Sequence, residues 1–162
     1  MWKLGSDELV SNRHHSHLHD DVAEILTEAL SRIDSGKRDF FVEQVDFGRV
    51  VGETICVATD NGDEIVFAKR PKRYGHTRFV KTKRPEPCSS LVVILKKIET
   101  GYVLISAFVG VKPQPEPWDH RSFSQQSDPQ KAERLAIEFW NSHALVWGCD
   151  VISGTETTRC PW

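Results

Sequence analysis

No stretch of the 162 residues approaches an 18-residue apolar run, which excludes a transmembrane helix. The first twenty residues, MWKLGSDELVSNRHHSHLHD, lack the apolar centre of a secretory signal, so a cytoplasmic protein with no membrane partner is expected. The four cysteines (Cys56, Cys88, Cys149, Cys160) include no CxxC pair and no metal-ligand spacing, which argues against a zinc ribbon. In a reducing compartment they are expected as thiols, Cys56 as plain core among apolar neighbours. No period of 20 to 50 residues repeats, so a solenoid is excluded. At this length and with 39% hydrophobic residues the expectation is one domain, 1–162, with its own core.

Acidic residues are also missing from one place. Lys69 to Arg84, KRPKRYGHTRFVKTKR, carries eight cations (Lys69, Arg70, Lys72, Arg73, Arg78, Lys81, Lys83, Arg84) and no carboxylate. Without those eight, 13 basic side chains face 23 acidic ones. An acidic body with one basic strip generates a local positive field suited to phosphate or another polyanion. Tyr74, His76, Phe79 and Val80 interleave with the charges, so this is more than a localisation-type run. From Thr77 the alternation is strand-like, with Thr77, Phe79 and Lys81 on one face and His76, Arg78 and Val80 on the other. The strip is read either as a ligand site or as a solvated basic hairpin.

Around it the periodicity predicts an α+β fold. Residues 1–19 form a flexible His-rich lead-in, 20–147 the core and 148–162 a loosely held tail. Val22, Ile25, Leu26, Ala29, Leu30 and Ile33 share one helical face, with Asp20 and Asp21 before them and Gly36 beyond. The period then falls to two. Strands are predicted at 40–45, 50–59, 64–69, 78–81, 91–97 and 102–109, with Asp60-Asn61-Gly62-Asp63 and Glu99-Thr100-Gly101 as hairpin turns. The last two strands are the most apolar and are expected at the sheet centre. Residues 110–128 read as a long surface loop containing Pro115-Glu116-Pro117-Trp118-Asp119. Asp128-Pro129 opens a second helix that runs to Leu145. The expected architecture is a largely antiparallel sheet packed by an N-terminal and a C-terminal helix.

Three groups of residues compete for chemistry. His14, His15, His17 and His19 offer a pair four residues apart, but no HExxH Glu and no third ligand, so no metal site is assigned. A metal-dependent hydrolase built on them would lose its activity when residues 1–19 are deleted. Second, His76, Arg78 and Lys81 supply a proton-transfer group and fixed cations for a phosphate within six residues. Ser106, a hydroxyl within the apolar LISAF strand, either points at that site or is a small core residue bonded to backbone. Third, Asn141 and His143 sit near the end of the second helix, where the helix dipole already favours a His and where either could reach the sheet. Tyr74 and Trp118 are stacking candidates for bases; Trp140 reads as a core lid.

The runs HTRFVKTKRPEP, LISAFVG, PEPWD and FWNSHAL, spread over residues 40–147, resemble a group of bacterial and phage-linked proteins. That group resembles in turn the metal-independent ribonuclease superfamily that unites barnase, EndoU, colicin ribonuclease domains and RelE-type toxins. The resemblance implies helices packed on a curved antiparallel sheet, and RNA cleavage by 2′-OH attack without a cofactor, in a toxin or phage-conflict setting with an antitoxin or immunity protein as partner. It carries over His76, Arg78 or Lys81, and Ser106, with Asn141 and His143 as further site residues. In the reading built on it, His76 is the general base, Arg78 and Lys81 stabilise the phosphate and Ser106 orients it. The chain departs from the pattern by lacking a clear second His on the sheet, which leaves the general acid unassigned. The rival reading is a non-catalytic module that binds nucleic acid or an acidic partner through Lys69, Arg70, Lys72, Arg73, Tyr74, Lys83, Arg84 and Trp118.

Overall fold

A computed structural model describes residues 1–12, 20–148 and 150–162. The first segment forms β1 (Trp2–Lys3), β2 (Leu9–Ser11), α1 (Asp20–Ser31), β3 (Phe40–Asp46) and β4 (Gly52–Thr54). Next come β5 (Cys56–Ala58), β6 (Ile65–Lys69) and β7 (His76–Val80). The third carries β8 (Glu86–Cys88), β9 (Ser90–Ile98) and β10 (Gly101–Val109). The last contains α2 (His120–Ser124), α3 (Pro129–Ser142) and β11 (His143–Val146). The result is an α+β fold with mostly antiparallel sheets. Its strands are divided between a five-stranded sheet, a four-stranded sheet and a two-stranded ribbon of β4 and β8.

The chain makes two compact units, and it passes between them three times. The first comprises residues 1–54 and 87–112, the second 55–86 and 113–162. In the first unit the strand order is β1-β2-β10-β9-β3, with β2 and β10 parallel and the other pairs antiparallel. The apolar β9–β10 hairpin is central, as its sequence predicts. At its turn Gly101 has φ +134°, and a Cβ there would lie 2.3 Å from the Leu9 carbonyl oxygen. Val22, Leu26, Ala29, Leu30 and Ile33 of the predicted helical face all join one core with Phe41, Leu91, Leu95 and Tyr102. Each buried Val, Leu or Ile among them contributes about 1.5–3 kcal/mol. Residues 1–12, part of the expected lead-in, are ordered into this unit: Leu4 and Val10 are buried, and Glu8 accepts a hydrogen bond from Ser35 at 2.5 Å. The four N-terminal histidines lie outside the described residues.

The second unit departs further from the periodicity. Its strand order is β5-β11-β7-β6, with β7 and β11 parallel. The predicted strand at 50–59 divides at Ile55 into β4 and β5, which belong to different sheets. Asp60–Asp63 closes a turn, Asp63 N–H donating to the Asp60 carbonyl at 3.1 Å. It does not join neighbouring strands, because β11 and β7 lie between β5 and β6. The helix predicted to reach Leu145 ends at Ser142, and His143 is extended at φ −133°, ψ 153°. Ala144 and Leu145 find backbone partners on both sides, Val57 and Cys56 of β5 and, for Leu145, Phe79 of β7. Two ladders outweigh the weak helical preference of one more turn.

The C-terminal tail is the other difference. Composition suggests loose attachment, yet the segment runs along the edge of β6. Phe67 and Thr157 exchange backbone hydrogen bonds at 2.8 Å, and Ile152 N–H donates to the Lys69 carbonyl at 2.9 Å. Trp162 sets its ring against Phe67 at 5.3 Å and donates its indole N–H to Asn141 Oδ1 at 2.9 Å. The tail therefore satisfies backbone groups that a bare edge strand would leave open.

Candidate nucleic-acid interface

The basic strip is the outer hairpin of the second unit. β6 and β7 pair in the register Lys69↔His76, Ala68↔Thr77 and Phe67↔Arg78. The strand-like alternation holds from Thr77 onward. Phe79 faces the core of Val66, Ala68, Trp140 and Leu145. Trp147 packs on Phe79 at 5.5 Å, and Lys81 Nζ sits 4.6 Å over the Trp147 ring, on the same side. Arg78 lies on the opposite face, where it donates to Thr59 Oγ1 at 2.8 Å and to the His143 carbonyl at 2.9 Å. Partial burial pulls the Arg78 pKa below its ordinary value, but the guanidinium remains the cation that ties β7 to the start of β11. Arg78 and Lys81 thus project from opposite faces of one strand. They do not converge on one phosphate.

The hairpin tip is held by a polar network that the sequence does not announce. Arg70 donates from Nε to Thr77 Oγ1 at 3.0 Å and from Nη2 to Glu116 Oε2 at 2.8 Å. Thr77 Oγ1 donates in turn to the other Glu116 oxygen. Thr77 is fully buried and Glu116 is 8% exposed. The carboxylate comes from the Pro-rich loop, so the network fastens residues 115–118 to the base of the tip. Glu116 was visible only as one of several polar residues on a long loop. Nothing beside Arg70 in the sequence signals this pairing, since Glu116 lies 46 residues further along the chain.

Between the anchored ends the tip projects outward. Arg73 N–H bonds to the Arg70 carbonyl at 3.3 Å, closing a turn with Pro71 and Lys72 at its centre. Lys72 has φ +60°, a left-handed position usually taken by Gly or Asn. Gly75 packs beneath Trp118, and a Cβ on it would lie 2.2 Å from Trp118 Cγ. Tyr74 is 92% exposed and meets Trp118 edge to face, with ring centroids 6.4 Å apart. Lys72, Arg73 and Tyr74 are therefore consecutive exposed groups on a braced turn.

The eight cations separate into two sets. Arg70 pairs with Glu116, Arg78 is bonded within the fold, and Lys83 pairs with Asp60 at 3.1 Å, which raises the Lys83 pKa. Lys69, Lys72, Arg73, Lys81 and Arg84 form no ion pair among the described residues. His76 is half-buried, opposite Lys69 in the ladder. His143 stacks flat on Phe139 at 4.1 Å, its Nδ1 within 3.0 Å of the Phe139 carbonyl and 2.9 Å of Ser142 Oγ. Asn141 receives the Trp162 indole. Ser106 belongs to the first unit, half-buried just after a bulge that interrupts β10 between Leu104 and Ser106. Burial, and secondarily the Glu116 charge, push the Cys56 thiol up to about 11. No group of three or more metal-ligating side chains occurs among the described residues, and no helix there is long and apolar enough to cross a membrane.

No protein family profile and no curated protein matches the chain. Among solved structures it is similar to a conserved hypothetical protein from Toxoplasma gondii ME49, with 14% identity and a TM-score of 0.54. The similarity covers 84% of this chain and 89% of that one. At that identity the likeness concerns the fold alone.

Proposed function

We propose that the second unit is a binding module for nucleic acid, using the β6–β7 hairpin. One observation carries this reading: five cations of the strip, three of them on or beside the projecting tip, have no carboxylate partner among the described residues. In a chain of net charge −2 their field is local, and it matches a chain of phosphates. Cleavage at the strip has less support. Arg78 is committed to Thr59 and the His143 carbonyl, and Lys81 leaves the strand on the other face.

A labelled mixed RNA pool incubated with purified protein in EDTA tests both readings. Retention should weaken with salt, at roughly 0.7 of a logarithmic unit per tenfold salt for each phosphate contacted on a single strand. Lys72→Glu with Arg73→Glu should abolish retention without unfolding the protein, since both side chains are exposed. Retention that ignores salt and both charge reversals would refute the binding reading. Cyclic-phosphate ends that disappear in His76→Ala would shift the assignment to cleavage.

A further inference from the structure

We propose that the β6–β7 tip takes up one unstacked nucleotide of a single strand, its base on the Tyr74 ring and its flanking phosphates on Lys72 and Arg73. This rests on the nucleic-acid reading and specifies the form of the ligand. Three observations at the tip converge on it.

The first is Tyr74 itself. A ring 92% exposed gains almost nothing from the hydrophobic effect in the unbound protein, yet it is not loose. Trp118 braces it edge to face, and Trp118 is seated on Gly75 at a distance that leaves no room for a Cβ. A held aromatic ring with open area is the platform on which a base stacks regardless of its identity. A duplex keeps its bases stacked on each other and presents none to such a ring.

The second is Lys72. Its left-handed backbone would suit Gly better than any residue with a Cβ. A side chain kept in that conformation points to work for the charge at the turn's apex, one residue from Arg73 and two from Tyr74. The third is the anchoring below. Arg70, Thr77 and Glu116 fix the turn's base, so the tip is ordered before ligand arrives and loses little freedom on binding.

The test measures fluorescence anisotropy of one labelled 12-nucleotide RNA, as single strand and as duplex, across a salt series. The proteins are the full chain, Tyr74→Ala, Tyr74→Trp and Lys72→Gly. The single strand should bind more tightly than the duplex. Tyr74→Ala should weaken single-strand binding by roughly 5- to 100-fold, with Tyr74→Trp retaining it. Lys72→Gly should raise the thermal midpoint while lowering the salt slope by about 0.7, the signature of one lost phosphate contact. Equal affinity for both forms with Tyr74→Ala unchanged would overturn the stacking proposal and leave the basic-strip reading standing. A stabilised Lys72→Gly with unaltered affinity and slope would remove Lys72 from the interface. Absence of salt-sensitive binding to either form would remove the underlying reading as well.

Discussion

Replacing Glu116 with Ala should cost the second unit about 3 kcal/mol, and the figure follows from what is left behind. The substitution removes the acceptor for Arg70 Nη2 at 2.8 Å and the acceptor for the Thr77 hydroxyl. Breaking a buried ion pair from one side typically costs about 3–5 kcal/mol, because the remaining charge stays desolvated. The Arg70 side chain is 18% exposed and can turn partly to water, which places the cost at the lower end. Glu116→Gln keeps a neutral acceptor of the same shape and should cost about 1–2 kcal/mol. Arg70→Met combined with Glu116→Met leaves no orphaned charge and should be milder than either single change. Urea titration followed by tryptophan emission is the assay, since Trp118, Trp140, Trp147 and Trp162 lie in the second unit and only Trp2 in the first. With a slope of about 2 kcal/mol per molar, the Glu116→Ala midpoint should fall by about 1.5 M. A shift below about 0.3 M, or a coupling energy below about 0.5 kcal/mol in the Arg70/Glu116 cycle, would refute the argument.

Gly75→Ala would place a methyl 2.2 Å from Trp118 Cγ; displacement of the Pro-rich loop should red-shift emission and lower stability by about 1–3 kcal/mol. An unchanged spectrum and midpoint would show that the loop moves aside without cost. Removing residues 151–162 strips β6 of its edge partners and Phe67 of Trp162, and should lower the second unit's stability by about 3–5 kcal/mol and promote aggregation, read by urea titration and light scattering. The carboxyls of Glu8 and Asp63 titrate below their ordinary range, Glu8 through the Ser35 and Ser6 hydroxyls, Asp63 through the Asp60 backbone and Thr82. A depressed folded pKa gives stability that is present above the unfolded value and lost as pH falls through the folded one. Thermal midpoints should therefore stay level from neutrality down to the ordinary carboxylate range near pH ~4 and drop only below it.

The periodicity of two and of 3.6 carried most of the first unit, because its helical face and its central hairpin can be read locally, even though β2 pairs with the distant β10 and β3 with β9. The α1 face and the β9–β10 hairpin are local patterns, and each buries the residues its spacing predicts. The second unit was less legible because its key pairing has no local signal. Paired residues of β7 and β11, such as Phe79 and Leu145, are 66 positions apart, and nothing near His143 signals that two distant strands will flank it. Local propensity therefore favoured helix. The charge of the strip was plain in the sequence. The division of its cations was not, since Arg70 and Arg78 find their partners at Glu116 and His143, far along the chain.

The threefold passage of the chain between its units governs what deletion genetics can reveal. A stop codon anywhere from residue 85 to 112 removes β11 and α3 but leaves β6 and β7, so the basic hairpin would be made without the strand it lies against. Excising 87–112 to isolate the second unit removes the central hairpin of the first. Neither unit is encoded by one uninterrupted stretch, so fragment libraries will score residues of both as indispensable to either. Point substitutions at the hairpin tip escape this problem. A circular permutant with new ends in the exposed Lys112–Gln114 segment would tell whether the order of the pieces matters as much as their presence.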